Sequence, residues 1–253
     1  MQSAQETLRP LKKLRVATDA FGESKGQTTM AEAIIFDMDG TLLDSVDLHA
    51  QAWQEAFAHF GYNFDFPRIR SQIGEGGDQL LPVFLSPEDL QSRGKEISEY
   101  RSRLFKETYL PRIKPFPGVR QLFEKVRLNG QKAVIASSAK GDELTDFERI
   151  AGIQDLVDTE TSSADAKRSK PHPDIFEAAL NRLGNGISKD RVIVVGDSPH
   201  DAEAAKNAGL RTVGVRCGGF PESDLRSAGC IAIFDGPEDL LEHYEQSPLA
   251  RDR

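Results

Sequence analysis

Ala33-Ile34-Ile35-Phe36-Asp37-Met38-Asp39-Gly40-Thr41 decides the fold. Four apolar residues without a polar alternate read as a strand buried on both faces, the mark of a parallel sheet covered by helices on either side. Two carboxylates stand directly behind that strand, where they are costly to hold unless a cation or a reaction uses them. The pattern recurs at Val192-Ile193-Val194-Val195, followed by Gly196-Asp197-Ser198-Pro199-His200-Asp201. Between these stretches lie Lys132-Ala133-Val134-Ile135-Ala136, which leads into Ser137-Ser138, and an isolated Lys170. Carboxylates, hydroxyls and an ammonium at strand ends form the inventory of a metal-dependent phosphoryl-transfer site.

Working outward, strands and helices alternate. A helical pattern through Val119, Leu122, Phe123 and Val126 ends at Asn129-Gly130, the usual stop for a helix. The next helix carries Leu144, Phe147 and Ile150 and ends at Gly152, and Leu156 to Thr159 reads as a short strand. Pro173 to Leu183 is predicted helical, with proline in the first turn. A helix over His200 to Ala208, strands at Thr212 to Val215 and Ile231 to Phe234, and a helix from Pro237 to Tyr244 complete the series. Such alternation predicts an α/β fold, a doubly wound, Rossmann-like parallel sheet whose ligand lies beyond the carboxyl ends of the strands. Residues 46–112 break the alternation with helical patterns only, one from Leu48 through Trp53 and Phe57 to Gly61, another over Glu88 to Tyr109. Between them Ile73-Gly74-Glu75-Gly76-Gly77 is a loop of unusual backbone freedom. The expected organisation is a polar, disordered extension over 1–29, an α/β core formed by 30–45 and 113–253, and an inserted α-helical cap over 46–112.

The chain has 253 residues, with 32 Lys+Arg against 40 Asp+Glu and a formal charge of −8. That balance argues against a nucleic-acid surface, which needs a basic face. Cys217 and Cys230 have neither metal-ligand spacing nor a disulfide framework, which reads as reduced thiols in a cytoplasmic protein. No apolar run reaches the roughly 20 residues that span a bilayer. Neither a nucleic acid nor a membrane is therefore an expected partner, and a monomer is the default.

The motif strings Phe36-Asp37-Met38-Asp39-Gly40-Thr41-Leu42-Leu43-Asp44-Ser45 and Ser169-Lys170-Pro171-His172-Pro173-Asp174-Ile175-Phe176, with Ser137 and Asp197 in order between and after them, resemble the haloacid dehalogenase superfamily from Ala31 onward. The resemblance is to members with a small helical cap, which include phosphoglycolate-type phosphatases and beta-phosphoglucomutase. It implies a magnesium-dependent phosphatase that acts on a small phosphorylated metabolite through an aspartyl-phosphate intermediate.

Under that resemblance Asp37 is the expected nucleophile, since a carboxylate can accept a phosphoryl group and split the reaction in two. Asp39 is the expected acid and then base. Asp37, Asp197 and the main-chain carbonyl of Asp39 would hold Mg²⁺, which favours a few hard oxygens. Ser137, Ser138 and Lys170 would bind the phosphoryl oxygens. Asp201 and Ser198 would support them from behind. His49 and Glu75 are the expected specificity residues of the cap.

Departures within the family narrow the reaction. Asp39 is retained, whereas dehalogenating relatives lack an aspartate there. No lysine lies between Asp37 and Gly94 to form the Schiff base of phosphonate-cleaving relatives. Gly196-Asp197 stands where the mutases carry Glu-Asp, and the cap loop has no arginine, Arg68 and Arg70 upstream being its nearest cations. Hydrolysis is favoured over a beta-phosphoglucomutase-like reaction, and a non-turnover phosphometabolite sensor is the remaining alternative. The cap offers no arginine clamp that would name a particular substrate.

Overall fold

The computed structural model describes residues 31–250, so the extension expected over 1–29 lies outside the described residues. Six strands form one sheet: β1 (Ala33–Phe36), β2 (Lys132–Ala136), β3 (Thr159–Thr161), β4 (Val192–Gly196), β5 (Arg211–Val215) and β6 (Ala232–Phe234). Their order is β3-β2-β1-β4-β5-β6, and every pair is parallel. The strand order reverses between β1 and β4, which is where the crevice of a doubly wound sheet opens. Phe36 pairs with Val195 there, and the Asp37 amide extends the ladder to the Val195 carbonyl at 2.9 Å. Asp37 and Asp197 therefore leave adjacent strands at the switch point.

The uninterrupted apolar runs have a direct cause. Ile34, Phe36, Ile193 and Val195 point into one buried cluster, with Leu122, Phe123 and Val126 of α5 (Val119–Leu128) and Leu144 and Phe147 of α6 (Gly141–Ala151). Ala33, Ile35, Val192 and Val194 point into the cluster on the opposite face, with Ile175, Phe176 and Ala179 of α7 (Asp174–Leu183) and Ala204 and Ala205 of α8 (Pro199–Asn207). Both strand faces are dry, so neither can carry a polar alternate. Two short helices, α9 (Glu222–Ala228) and α10 (Pro237–Glu242), flank β6.

Residues 46–112 form α1 (Val46–His59), α2 (Phe66–Arg70), α3 (Gly77–Phe84) and α4 (Pro87–Leu104), followed by a π turn over Phe105–Tyr109 and a 3₁₀ turn over Leu110–Arg112. They have a core of their own, in which Trp53, Phe57, Ile69, Leu80, Phe84 and Ile97 are buried together. Pro87 occupies the first turn of α4, and Ser86 caps it by accepting from the Asp89 amide at 3.1 Å. The continuous helix expected over Glu88 to Tyr109 instead widens into the π turn. A π turn rotates the side chains beyond it relative to an unbroken α-helix. Phe105, where α4 passes into the π turn, stacks on His49, ring centroids 4.0 Å apart. The short third strand also departs from expectation, lying at Thr159–Thr161 rather than Leu156 to Thr159. Leu156 is drawn into the helix-side apolar cluster instead.

One buried group makes stability pH-dependent. Glu148 of α6 is 7% exposed, and its Oε1 has no hydrogen-bond partner. Burial, with Glu160 of β3 beside it, pushes its carboxyl up to about 8. A carboxyl raised in the folded state contributes stability that is fully present below the ordinary value of 4.5 and lost as pH rises through about 8. Glu148→Gln cannot ionise, so at pH 9 it should melt above the parent chain by about 2–4 °C per kcal/mol recovered. At pH 5 the two should agree, which thermal denaturation at both pH values checks.

Candidate active site

The turn after β1 is built around Gly40, whose φ of +79° suits glycine. A Cβ at Gly40 would overlap the Asp197 carboxylate, and one at Gly218 would do the same from the loop after β5. Two glycines thus leave Asp197 the room it occupies. Thr41 Oγ1 lies 3.3 Å from Asp37 Oδ2 and 3.1 Å from Asp197 Oδ1. One hydroxyl has a single proton to donate, so it spans the two carboxylates without neutralising them. Asp201, at the start of α8, completes a cluster in which one carboxylate oxygen from each of Asp37, Asp197 and Asp201 lies within 4.8 Å of the others.

Lys170 is 1% exposed and is the ammonium in this cluster, paired with Asp37 Oδ1 and with Asp201 Oδ1 at 2.7 Å. Burial alone would lower Lys170, but Asp201 and Asp37 hold it above its ordinary value. Burial pushes the Asp37 carboxyl up to about 7 against the pull of Lys170. Burial, with Asp201 and Asp37 alongside, pushes Asp197 well above the usual carboxylate range. Three buried carboxylates face one ammonium, and the surplus negative charge with its oxygen-only donors fits a hard divalent cation. Asp201 is further fixed by a capping box, with Ser198 Oγ donating to Asp201 Oδ2 at 2.6 Å and the Asp201 amide to Ser198 Oγ at 3.3 Å.

Asp39 is held apart from this cluster. Its Oδ1 accepts from Ser45 Oγ at 2.5 Å and pairs with His49 Nε2 at 2.8 Å. Burial would raise Asp39, but His49 and Ser45 more than offset it and hold the carboxyl below its ordinary value. Arg101 reaches His49 Nδ1 from α4. A guanidinium can only donate, so Nδ1 is the acceptor and the ring proton sits on Nε2, directed at Asp39. Arg101 lies over the rings of Trp53 and Phe105, 5.3 and 4.7 Å from their centroids. The glycine-rich loop itself carries no arginine, as read from the sequence, but Arg101, which that reading did not name, reaches the site from α4. Its signal was available, because Ile97, Arg101 and Phe105 repeat every fourth residue along the inward face of a helix.

The cavity of about 90 Å³ beside these groups is lined by Asp37, Asp39, His49, Glu75, Arg101 and Ser138, among others. His49 and Glu75, expected from sequence, therefore both reach it. Glu75 lies 3.2 Å from His200 Nδ1, and its Oε2 is buried without a partner. Ser137 is fully buried, and its Oγ accepts from the Ala139 amide at 3.1 Å. Thr41 and Gly218 were not anticipated as site residues. Cys217, a free thiol, donates from Sγ to the Gly40 carbonyl at 3.2 Å. Among the described residues no helix is long and apolar enough to cross a membrane.

Residues 34–215 match the family model described as haloacid dehalogenase-like hydrolase. A "Phosphorylated carbohydrates phosphatase" of Thermotoga maritima is 30% identical over 215 residues, covering 83% of this chain and 96% of its own length. The pyrophosphatase PpaX of Bacillus velezensis is 30% identical over 210 residues, covering 83% and 91%. A hydrolase from Pseudomonas syringae superposes with a TM-score of 0.74 at 28% identity, over 85% of this chain and 98% of that one. The chain belongs to the haloacid dehalogenase-like hydrolases.

Proposed function

We propose that the protein is a magnesium-dependent phosphatase that hydrolyses a small phosphorylated metabolite through a phosphorylated Asp37. The observation that carries this reading is the separation of two carboxylate environments. Asp37 sits with Asp197, Asp201 and Lys170, whereas Asp39 is held by Ser45 and the His49–Arg101 pair. Two carboxylates in separate environments can take separate roles, and a bound Mg²⁺ would favour the ionised Asp37 that burial otherwise raises, leaving it free to attack. Names of the relatives, a carbohydrate phosphatase and a pyrophosphatase, support a phosphorylated substrate.

In this reading Lys170, Ser137 and Ser138 take phosphoryl oxygens; the Ser137 hydroxyl, which accepts from the Ala139 amide, keeps its own proton to donate. Asp37 attacks phosphorus, forming an acyl phosphate as the P–O bond to the leaving group breaks. Asp39 gives its proton to the departing oxygen. A phosphate dianion beside Asp39 raises the carboxyl that His49 and Ser45 otherwise hold low, which supplies the protonated form for that step. Ionised again, Asp39 takes a proton from water as it attacks phosphorus, and the Asp37–phosphorus bond breaks to release phosphate. Asp37, Asp197 and the Asp39 main-chain carbonyl would hold Mg²⁺, which offsets repulsion between the phosphate and the carboxylates. Residues 46–112 would act as a cap that excludes water from the first step.

The test is phosphate release from a panel of phosphomonoesters with magnesium, together with single-turnover labelling at Asp37. Release of phosphate at the rate the label disappears is expected. Label that persists in water and passes back to a sugar phosphate would make the protein a mutase. Label that never forms would leave the sensor reading.

A further inference from the structure

The end of α2, the start of α3 and the loop between them meet the sheet domain at points that each adjoin a site residue. Asp78 Oδ2 accepts from the amide of Ser169, the neighbour of Lys170, at 3.1 Å. Glu75 pairs with His200, which lies next to Asp201. Arg70, at the end of α2, donates from Nη2 to the Gly218 carbonyl at 2.8 Å and from Nε to Asp47 Oδ1 at 2.6 Å. Gly218 is the residue whose missing Cβ makes room for the Asp197 carboxylate, and a Cβ at Gly219 would collide with the Arg70 guanidinium. Asp47 lies in the first turn of α1, directly beyond the connection that joins the helical segment to β1.

A single guanidinium thus ties three elements together: α2, just before the glycine-rich loop, the helix that leaves β1, and the loop that encloses Asp197. The planar fork of arginine can serve a carboxylate and a carbonyl at once, which a lysine ammonium does without fixed geometry. The Asp47–Arg70 pair is partly exposed and weak by itself. Its effect is to aim Nη2 at the Gly218 carbonyl.

We infer that Arg70 is a positioning residue that latches the helical segment shut against the loop after β5 and so holds that loop around Asp197. The inference rests on the reading of residues 46–112 as a closing cap. A bulky leaving group touches Glu75, His49 and Trp53 and can bridge cap and core itself. A small donor such as acetyl phosphate cannot, and depends on the latch.

Two measurements on the full chain test it. Hydrogen exchange without substrate should show residues 70–78 and 216–220 losing protection together in Arg70→Ala, with β1, β2 and α4 unchanged. Loss of one charge-assisted hydrogen bond should then lower kcat/KM by about tenfold on acetyl phosphate. On a hexose phosphate the loss should be about twofold or less, because the substrate replaces the latch. Arg70→Lys, which can keep one of the two bonds, should fall between. Equal losses on both donors, or unchanged exchange at 216–220, would overturn the latch. The exchange measurement needs no turnover, so it separates failure of the latch from failure of the phosphatase reading.

Discussion

Asp37→Asn should lose at least about 10³-fold in turnover while melting at or above the parent chain. Both halves of that expectation have one cause. Asparagine keeps the shape of the side chain and can still accept from Thr41 through its carbonyl oxygen. It cannot form the acyl phosphate, because an amide oxygen is a poor nucleophile. Stability moves the other way, since Asp37 is one of three buried carboxylates around a single ammonium. Its carboxyl is raised by burial to about 7 from 3.8, so the stability tied to its protonated form is lost as pH rises through about 7. The asparagine variant escapes that loss. Phosphate release and melting curves at pH 8 without magnesium check both parts. Retained turnover would remove Asp37 as nucleophile. A large drop in melting temperature would mean that the charge holds the fold rather than serving the chemistry.

The sheet and the strand-end residues were legible because they obey local rules. Ile34-Ile35-Phe36 and Ile193-Val194-Val195 are dry on both faces, and that condition is written into consecutive residues. Asp37 and Asp197 stand at the ends of those runs, so their meeting follows from the topology once β1 and β4 are neighbours. Arg101 was missed for the converse reason. It lies 52 positions from its His49 partner, and arginine on a charged helix ordinarily faces water. Only its place between Ile97 and Phe105 marks the inward face, and the stacking of Phe105 on His49 has no signature in composition. Arg70 was noticed as a nearby cation, but its Gly218 partner is 148 positions away. A main-chain carbonyl offers no residue type to search for. Thr41 was quoted within its motif without a task, because a hydroxyl two residues past an aspartate more often finishes a turn. Glycine at Gly40 and Gly218 is explained only by the carboxylate of Asp197 packing against both.

Asp197→Ala should abolish activity at ordinary magnesium levels and reverse the order of the two melting temperatures as magnesium is added. Without metal, Asp197 is 1% exposed and its carboxyl is pushed well above the usual range by burial and by Asp201 and Asp37. A carboxyl raised in this way contributes stability that fades as pH rises through its folded value. Alanine removes that liability together with one acceptor of Thr41, which still faces Asp37 Oδ2. The metal-free variant should therefore melt no lower than the parent chain. Added magnesium should stabilise the parent, and so raise its melting temperature, by a free energy that grows as the logarithm of concentration beyond Kd, about 2.7 kcal/mol at one hundred times Kd. The variant, with two carboxylates and Lys170 left in the cluster, should respond only at far higher concentration, and its melting curve should cross below that of the parent. The crossing is the decisive feature, since a residue that merely supports the fold would lower both curves by the same amount. A variant whose magnesium titration overlays that of the parent would remove Asp197 from the ligand set and leave Asp37 and Asp201 as the carboxylates to test.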